Sequence, residues 1–198
     1  MKILLIYPRC LEKREHTSED EVVPPMGLYY MAALLLEKGH QVQVVNAYQQ
    51  PEDPRSWMDM FRKLTPDVIG FSVLMANRHA ALNLAALARE ILPDVVTVFG
   101  GPAATFLPEF FLTRYQQVDL CVLGEGEFTL LEAIETLQTG KKDLGDVKGL
   151  VMRSDGDFVP SGVSTDQPVH LTGQREPIHD LDQLPNPAKY FPFRHLAL

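Results

Sequence analysis

The stretches DVIGFSVL at positions 67–74 and VVTVFGGP at positions 95–102 decide the fold of this chain. Each contains a short apolar run that ends at small or turn-forming residues, as expected for a strand buried on both faces of a parallel sheet. Between them, residues 77–91 carry apolar side chains at helical spacing. A strand, a helix and a second strand in this order predict a parallel βαβ unit with a right-handed crossover.

The same rhythm extends along most of the chain. Five such units favour an α/β class, with a flavodoxin-like, doubly wound, five-stranded parallel sheet in the strand order 2-1-3-4-5. The predicted strands are Lys2–Tyr7, Gln41–Asn46, Val68–Ser72, Val95–Phe99 and Val118–Leu123. The predicted helices run from Pro25 to Gly39, Pro54–Lys63, Asn77–Ile91, Thr105–Arg114 and Phe128–Leu137.

Two regions depart from this rhythm. The charged stretch from Pro8 to Pro24 is a long loop, and such loops in compact domains usually cover a site or stay mobile, so we expect a lid. After Gly140, residues 149–153, a turn at 154–157 and residues 158–159 predict a β-hairpin, and a linker rich in Pro and Asp follows. We therefore expect a domain at 1–140 and an appendage at 141–198 that leads toward a missing catalytic domain.

Composition excludes several classes of function. The 198 residues carry a formal charge of −8, which argues against a nucleic-acid partner because phosphate binding needs clustered Lys and Arg. The apolar stretches are far shorter than the roughly 20 residues that cross a bilayer, so no membrane partner is expected. Two distant cysteines, Cys10 and Cys121, and a chain that opens with a strand favour the cytoplasm.

The predicted topology places a ligand site at the carboxyl edge of the sheet. Strand order reverses between the first and third strands, so the loops leaving them diverge and form a crevice. Gly100 and Gly101 permit a close approach, and Ser72 offers a short hydroxyl. The glycines are equally compatible with a helix-entry turn, Ser72 with a helix cap, and the Gly-Glu-Gly-Glu stretch at 124–127 with the start of the last helix.

Familiar sites of this fold class are absent from the sequence. A dinucleotide site needs G-x-G-x-x-G after the first strand, where Pro8 stands, and a phosphoacceptor domain needs an aspartate where Ser72 stands. No phosphate-binding loop, zinc-protease motif or hydrolase elbow occurs. The six histidines show no metal-site spacing, so neither a metal ligand nor a catalytic residue is assigned.

These features together resemble the B12-binding domain family. Ser72-Val73-Leu74 matches its Ser-x-Leu turn after the third strand, and Gly100-Gly101 matches its Gly-Gly turn after the fourth. The stretches PPMGL at 24–28, KGHQV at 38–42, GEGE at 124–127 and LDQLPNP at 181–187 are similar to the N-terminal domains of B12-dependent radical SAM enzymes. The likeness covers nearly the whole chain.

The resemblance implies cobalamin as the cofactor, with the corrin over the carboxyl edge and the nucleotide tail between the Ser-x-Leu and Gly-Gly turns. A tryptophan at Gly101 is accordingly expected to block the tail groove and leave the fold intact. The expected cofactor-binding residues lie in the turns at this edge and at the start of the first helix: Pro8, Arg9, Gly27, Ser72, Val73, Leu74, Asn77, Gly100, Gly101, Pro102, Gly124, Glu125 and Gly126.

Two departures from the family pattern shape the functional expectation. The Asp-x-His-x-x-Gly turn that supplies a lower axial histidine is replaced by Tyr7-Pro8-Arg9-Cys10, so base-off cobalamin without an axial histidine is expected. The Cys-x-x-x-Cys-x-x-Cys signature is also missing, and two distant cysteines cannot hold a [4Fe–4S] cluster. The cluster, S-adenosylmethionine and the radical SAM barrel would belong to a parent enzyme, which is expected to be a methyltransferase, and no activity is expected from this fragment alone.

Two other functions stay open at this stage. A free-standing corrinoid sensor or carrier would use the same pocket without a barrel. A nucleotide-using α/β transferase would place phosphates near residues 124–127, where two acidic side chains disfavour an anion.

Overall fold

Seven strands of the described chain form one hydrogen-bonded sheet. The computed structural model describes residues 1–10, 24–141, 143–153 and 168–191. The strand order is β2-β1-β3-β4-β5-β6-β7, and β1 to β5 pair in parallel. The predicted α/β class and the order 2-1-3-4-5 are confirmed. The strands are β1 (Lys2–Tyr7), β2 (Gln41–Asn46), β3 (Val68–Ser72), β4 (Val96–Gly100), β5 (Leu120–Val122), β6 (Leu150–Arg153) and β7 (Val169–Leu171).

Helices connect the parallel strands, and local sequence sets where they begin and end. The Asp53 carboxylate accepts a hydrogen bond from the Arg55 amide at the start of the second helix, and Gly39, with φ +84°, follows the first helix. The described α-helices are α1 (Met26–Glu37), α2 (Pro54–Leu64), α3 (Arg78–Ile91), α4 (Pro102–Phe106), α5 (Pro108–Arg114) and α6 (Glu127–Gln138), with 3-10 turns at Ala47–Gln49, Leu181–Gln183 and Pro187–Lys189.

Strands β1, β3, β4 and β5 are buried on both faces of the sheet, which explains their continuous apolar runs. Alternate residues of β1 point to opposite faces, so Leu4 packs with the cluster of α2 to α5 and Leu5 packs with the cluster of α1 and α6. The first cluster is aromatic and includes Trp57 and Phe61 of α2. The second is built from aliphatic side chains of α1, α6 and the strands.

The strand order creates a crevice at the carboxyl edge. β1 pairs with β2 on one side and β3 on the other. The chain after β1 leads to α1 on one face, whereas the chain after β3 leads to α3 on the opposite face. The two loops therefore diverge, as expected at a topological switch point.

The predicted helix at 105–114 is wrong as a single element. The chain instead forms α4 and α5, separated at Leu107. Leu107 has φ −134° and ψ 44°, and a residue before proline is disfavoured in helical geometry, so Pro108 begins a new helix. Smaller differences affect β4, which lies one residue later than predicted, and β5, which is shorter.

The segment after α6 extends the same sheet. The predicted first hairpin strand is present as β6, which pairs antiparallel with β5 and with β7. The predicted turn at 154–157 and second strand at 158–159 lie outside the described residues, as does most of the predicted lid, residues 11–23. The predicted linker contains β7 and two 3-10 turns, while the predicted division at residue 140 stays a prediction. Along the described ranges, no helix combines the length and apolar character needed to cross a bilayer.

Candidate functional site

A cavity of about 580 Å³ opens at the carboxyl edge of the sheet. Its walls come from the face of the sheet that carries α1 and α6, with Leu28 and Met31 of α1 on one side and Leu130 of α6 on another. The turns after β4 and β5 complete the rim. A largely apolar cleft of this size with a few polar groups is the usual form of a small-molecule site.

The floor of the cavity is a slot that contains two glycines, Gly70 and Gly100. Leu5, Gly70 and Val98 lie side by side on three neighbouring strands, and all three line the cavity. Gly100 is two residues beyond Val98 and faces the same way, because side-chain direction alternates along a strand. Gly100 therefore leaves a gap on β4 where a flat group can lie against backbone, whereas the Leu5 Cδ2 atom covers Gly70, 2.8 Å from where a Cβ atom would stand.

The paired glycines differ in what they tolerate. A Cβ atom on Gly100 would meet only the Val122 Cβ, at 4.0 Å, so a side chain there would project into the cavity. Gly101 has φ +88°, and its Cβ would lie 3.1 Å from the Val73 carbonyl oxygen. A bulky residue at Gly101 would thus strain the backbone, which corrects the expectation that Gly101→Trp leaves the fold intact.

Two polar side chains at the cavity have raised pKa values. Burial, followed by repulsion from Glu125, raises the pKa of Glu127 at the start of α6, and the Glu127 Oε2 atom is buried without a hydrogen-bond partner. Burial and the contact with Cys10 raise the pKa of Tyr48 to about 12, so its hydroxyl stays protonated. With Ser72, the lining thus offers hydroxyls and a carboxyl group that favours its neutral form.

Asn77 joins the two loops at the switch point. Its side chain is fully buried, and its Oδ1 accepts a hydrogen bond from the Leu74 amide at 2.8 Å. Its Nδ2 donates to the carbonyl oxygens of Pro8 and Ser72, both at 3.2 Å. Asn77 therefore fixes the separation of the loops after β1 and β3 without lining the cavity itself.

Arg9 is held by the protein rather than directed into the cavity. Its guanidinium forms an ion pair with Glu52 and donates to the carbonyl oxygens of residues 47, 48 and 50, each at 3.1 Å. It also lies 5.6 Å from the centre of the Tyr48 ring. Because Tyr48 lines the cavity, Arg9 positions a wall of the site.

The thirteen predicted site residues divide into two groups. Seven line the cavity: Gly27, Ser72, Gly100, Gly101, Gly124, Glu125 and Gly126. The other six support it from behind or stand beside it: Pro8, Arg9, Val73, Leu74, Asn77 and Pro102. Their part in binding a ligand stays a prediction.

Sequence reasoning missed several lining residues. Gly70 was detectable, since an isolated glycine inside a strand pattern indicates a close backbone approach. Tyr7 and Tyr48 meet at the cavity with their ring centres 6.2 Å apart, although 41 residues separate them along the chain. No local signal brings these two rings together.

Comparison with known proteins identifies the family. A model described as "B12 binding domain" matches residues 18–134, more than half of the chain. The chain belongs to the B12-binding domain family. Cobalamin is therefore the cofactor of this domain, as the sequence predicted. The slot and its lining fit such a group, because Gly100 leaves room where a side chain would otherwise project into the cavity.

Curated relatives are longer proteins. The chain is 29% identical over 188 residues to an uncharacterized methyltransferase of Pyrococcus horikoshii, covering 95% of the chain and 38% of that protein. It is 30% identical to the anaerobic magnesium-protoporphyrin IX monomethyl ester cyclase of Synechocystis sp., covering 87% and 35%. It is also 30% identical to the hopanoid C-3 methylase of Methylococcus capsulatus, covering 96% and 35%. The chain thus spans little more than a third of these relatives.

A solved structure has the same fold. The cobalamin-dependent S-adenosylmethionine radical enzyme OxsB, with aqua-cobalamin and S-adenosylmethionine bound, matches with a TM-score of 0.71 at 20% identity. The match covers 93% of this chain and 23% of that one. A further relative, the cobalamin-dependent radical SAM methyltransferase TokK of Streptomyces tokunonensis, is 32% identical over 88 residues, covering 44% of the chain and 13% of that protein, which confirms the resemblance to domains of B12-dependent radical SAM enzymes.

Proposed function

We propose that this domain holds cobalamin in the base-off state, with the nucleotide tail in the Gly70–Gly100 slot and the corrin over the carboxyl edge. The observation that carries the proposal is the open space above Gly100 on the floor of the cavity. A long, slim tail ending in a flat base needs a groove that backbone lines closely. An intramolecular nitrogen base that lies in this slot is no longer free to bind the cobalt from below.

The lining residues would orient the tail by hydrogen bonds. Ser72 offers a hydroxyl beside the slot, and the Tyr48 hydroxyl accepts a hydrogen bond from the Cys10 amide at 3.0 Å, which fixes its ring at the cavity wall. Glu127, whose buried Oε2 atom has no hydrogen-bond partner in the described chain, would form a hydrogen bond with the tail. Leu28, Met31 and Leu130 would exclude water from the flat faces of the base.

The lower side of the cobalt is proposed to lack a histidine ligand. Of the described histidines, none lines the cavity, and His40 lies at the opposite edge against the N-terminal amine. His16 and His195 lie outside the described residues.

The parent reaction is proposed to be radical SAM methyl transfer. Two relatives named above are called a methyltransferase and a methylase, and the chain is about a third of their length. Bound cobalamin would supply a cobalt–carbon bond as the methyl source, while this domain's residues would bind and orient the cofactor. The barrel, the [4Fe–4S] cluster and S-adenosylmethionine would come from the rest of a longer protein.

Spectroscopy of the purified chain tests the proposal. The chain is incubated with hydroxocobalamin, freed of unbound corrinoid and examined in the visible range; after reduction, its electron paramagnetic resonance spectrum is recorded. Retained corrinoid whose cobalt(II) spectrum lacks nitrogen hyperfine splitting is the expected result. Absence of retained corrinoid would overturn the proposal, and splitting from a bound nitrogen would overturn its base-off part.

Two matched variants test the slot. Gly100→Leu should project into the cavity and weaken cobalamin binding about 100-fold, or about 2.7 kcal/mol, with little loss of stability. Ala86→Leu places the same side chain on the exposed side of α3 and should bind normally. Equal affinity of the two folded variants would contradict the placement of the tail.

A further inference from the structure

A C-terminal segment, residues 173–191 and here called the strap, packs across the layer of α1 and α6. It starts beside the far edge of the sheet, where the Gly149 amide donates to the Gly173 carbonyl oxygen at 2.8 Å. Arg175 then forms an ion pair with Glu132 of α6. At its other end, the Phe191 ring meets the Tyr29 ring of α1 edge-on, with centres 4.9 Å apart. The strap therefore returns from β7 to the cofactor side of the domain.

The strap is bonded to a wall of the cavity through Glu125. The Ile178 amide donates to the Glu125 Oε2 atom at 2.6 Å, and Glu125 lines the cavity. On the other side of the same turn, the Gly124 amide donates to the Thr105 hydroxyl of α4 at 3.0 Å. The turn between β5 and α6 is thus held between α4 and the strap.

The neighbouring groove strengthens this connection. It lies between the strap and the two helices, and its walls include Tyr30 and Glu37 of α1, Glu127 of α6 and Leu184 of the strap. Glu127 lines both this groove and the cofactor cavity. A movement of the strap would therefore change the surroundings of two residues of the 124–127 turn. Glu125 would be affected through its direct hydrogen bond to the strap, and Glu127 through the groove that it shares with the strap.

We propose that Glu125 is a positioning residue that couples docking of the strap to retention of the cofactor. The inference rests on the proposed cobalamin site and adds its regulation. A cofactor that holds the 124–127 turn in place also holds the acceptor for the strap, so binding and docking favour each other. Linkage requires that each stabilises the other by the same factor.

The coupling has a consequence for a longer parent chain. The described part of the strap ends at Phe191, which packs on Tyr29 of α1, so docking of the strap sets where the residues beyond it begin. An occupied cavity would fix that position, and an empty one would loosen it. In a longer parent chain, occupancy of the cofactor site would thereby be communicated to the residues beyond the strap.

Variants on and off the cavity separate coupling from direct contact. Arg175 bonds Glu132 and the Lys148 carbonyl oxygen but does not line the cavity. We expect Arg175→Ala to release the strap and accelerate cobalamin dissociation about fivefold to tenfold, within the usual range of such couplings. Glu125→Ala should do the same, and the double variant should be no faster than Glu125→Ala alone, because both act on one connection.

The measurements use the full 198-residue chain loaded with hydroxocobalamin. Dissociation is followed by the visible spectrum during exchange against excess methylcobalamin, and docking by hydrogen exchange of peptides from residues 176–191. Cobalamin should slow strap exchange in the wild type and not in Glu125→Ala. Arg62→Ala removes an exposed i, i+3 pair with Asp59 on α2 and should change neither reading.

The outcomes distinguish the two proposals. Faster strap exchange in Arg175→Ala with an unchanged cobalamin dissociation rate would overturn the coupling and leave the cobalamin site standing. Additive effects in the double variant would also overturn it. A wild-type chain that retains no cobalamin would overturn the proposed function itself, and the coupling with it.

Discussion

The two ends of strands β4 and β5 are built from opposite kinds of residue. At the amino end, the buried Asp119 carboxylate pairs with Arg89 and accepts hydrogen bonds from the backbone amide and hydroxyl of Thr97, at 2.8 and 3.0 Å. At the carboxyl end, Gly100 and Gly124 leave an open cavity. Buried, paired charges therefore fill the amino end of β4 and β5, whereas glycines at the carboxyl end leave room for a ligand.

The amino end is a network that depends on all its members. Burial raises the pKa of Asp119, while the Arg89 guanidinium and the bonds from Thr97 oppose that rise. Arg153, also buried, lies with its Nη2 atom 4.0 Å from Asp119 and donates to the Leu112 carbonyl oxygen at 2.7 Å. Such groups stabilise a fold only while they remain paired, so this end is expected to govern stability and the other end binding.

The largest expected effect is at the amino end. Asp119→Ala should lower the free energy of unfolding by about 3 kcal/mol, because the Arg153 guanidinium then stays buried without a carboxylate nearby. Denaturant titration measures the loss. Asp59→Ala, in an exposed pair, is the control and should change stability little. A large loss of cobalamin affinity in folded Asp119→Ala would contradict the division of labour between the two ends.

The next effect is at the carboxyl end. Gly70→Val should weaken cobalamin binding at least about tenfold, or about 1.4 kcal/mol, because its Cβ lies 2.8 Å from the Leu5 Cδ2 atom and must push that side chain into the slot. Affinity is measured by spectroscopic titration. Ile69→Val, which changes the opposite face of the same strand, should reduce stability and preserve affinity. Unchanged cobalamin affinity in Gly70→Val would show that the cofactor does not bind in the slot.

A third prediction concerns Arg9, which is expected to affect both stability and cobalamin binding. Arg9→Lys should cost about 1 kcal/mol of stability and about threefold in cobalamin affinity, since a lysine cannot reproduce the fork that holds residues 47–50. Arg114→Lys, an exposed cation beside the Phe110 ring, is the control. A loss of affinity far above threefold with unchanged stability would indicate that Arg9 contacts the cofactor directly.

The smallest effect concerns the pH dependence of the carboxyl end. Because the pKa of Glu127 is raised in the folded state, its ionisation reduces stability as the pH rises from the ordinary glutamate range through the folded pKa. Glu127→Gln should therefore leave the melting temperature unchanged near pH 4 and raise it by about 1 to 2 °C near pH 8. If the melting temperatures of Glu127→Gln and the wild type differed by the same amount at both pH values, ionisation of Glu127 would have no part in the pH dependence of stability.

Much of the parallel sheet was predictable because its signals are local. The five parallel strands were located by apolar runs, and their order by the βαβ rhythm. The break at Leu107 was missed although Pro108 carried a local signal for it. Pairing of β6 with β7 could not be predicted, because fifteen residues separate Arg153 from Val169 and strand pairing at that distance is decided by packing.

The candidate site divides in the same way. The turns that bear Ser72, Gly100 and Gly124 were found because parallel strands end at one edge of the sheet. The sequence did not distinguish residues that support these turns from residues that line the cavity. Arg9 is held by carbonyl groups of residues 47, 48 and 50, and its part in binding stays a prediction, whereas Tyr48 was overlooked and lines the cavity.

The sequence by itself determined the α/β class, the strand order and the edge at which a ligand can enter, because periodicity and turn chemistry act over a few residues. Only the tertiary structure decided that Gly70 lies on the floor of the cavity, that Arg9 supports one of its walls, and that the strap docks on Glu125. These depend on which distant segments share a surface, and that is fixed when the two hydrophobic clusters pack against the sheet.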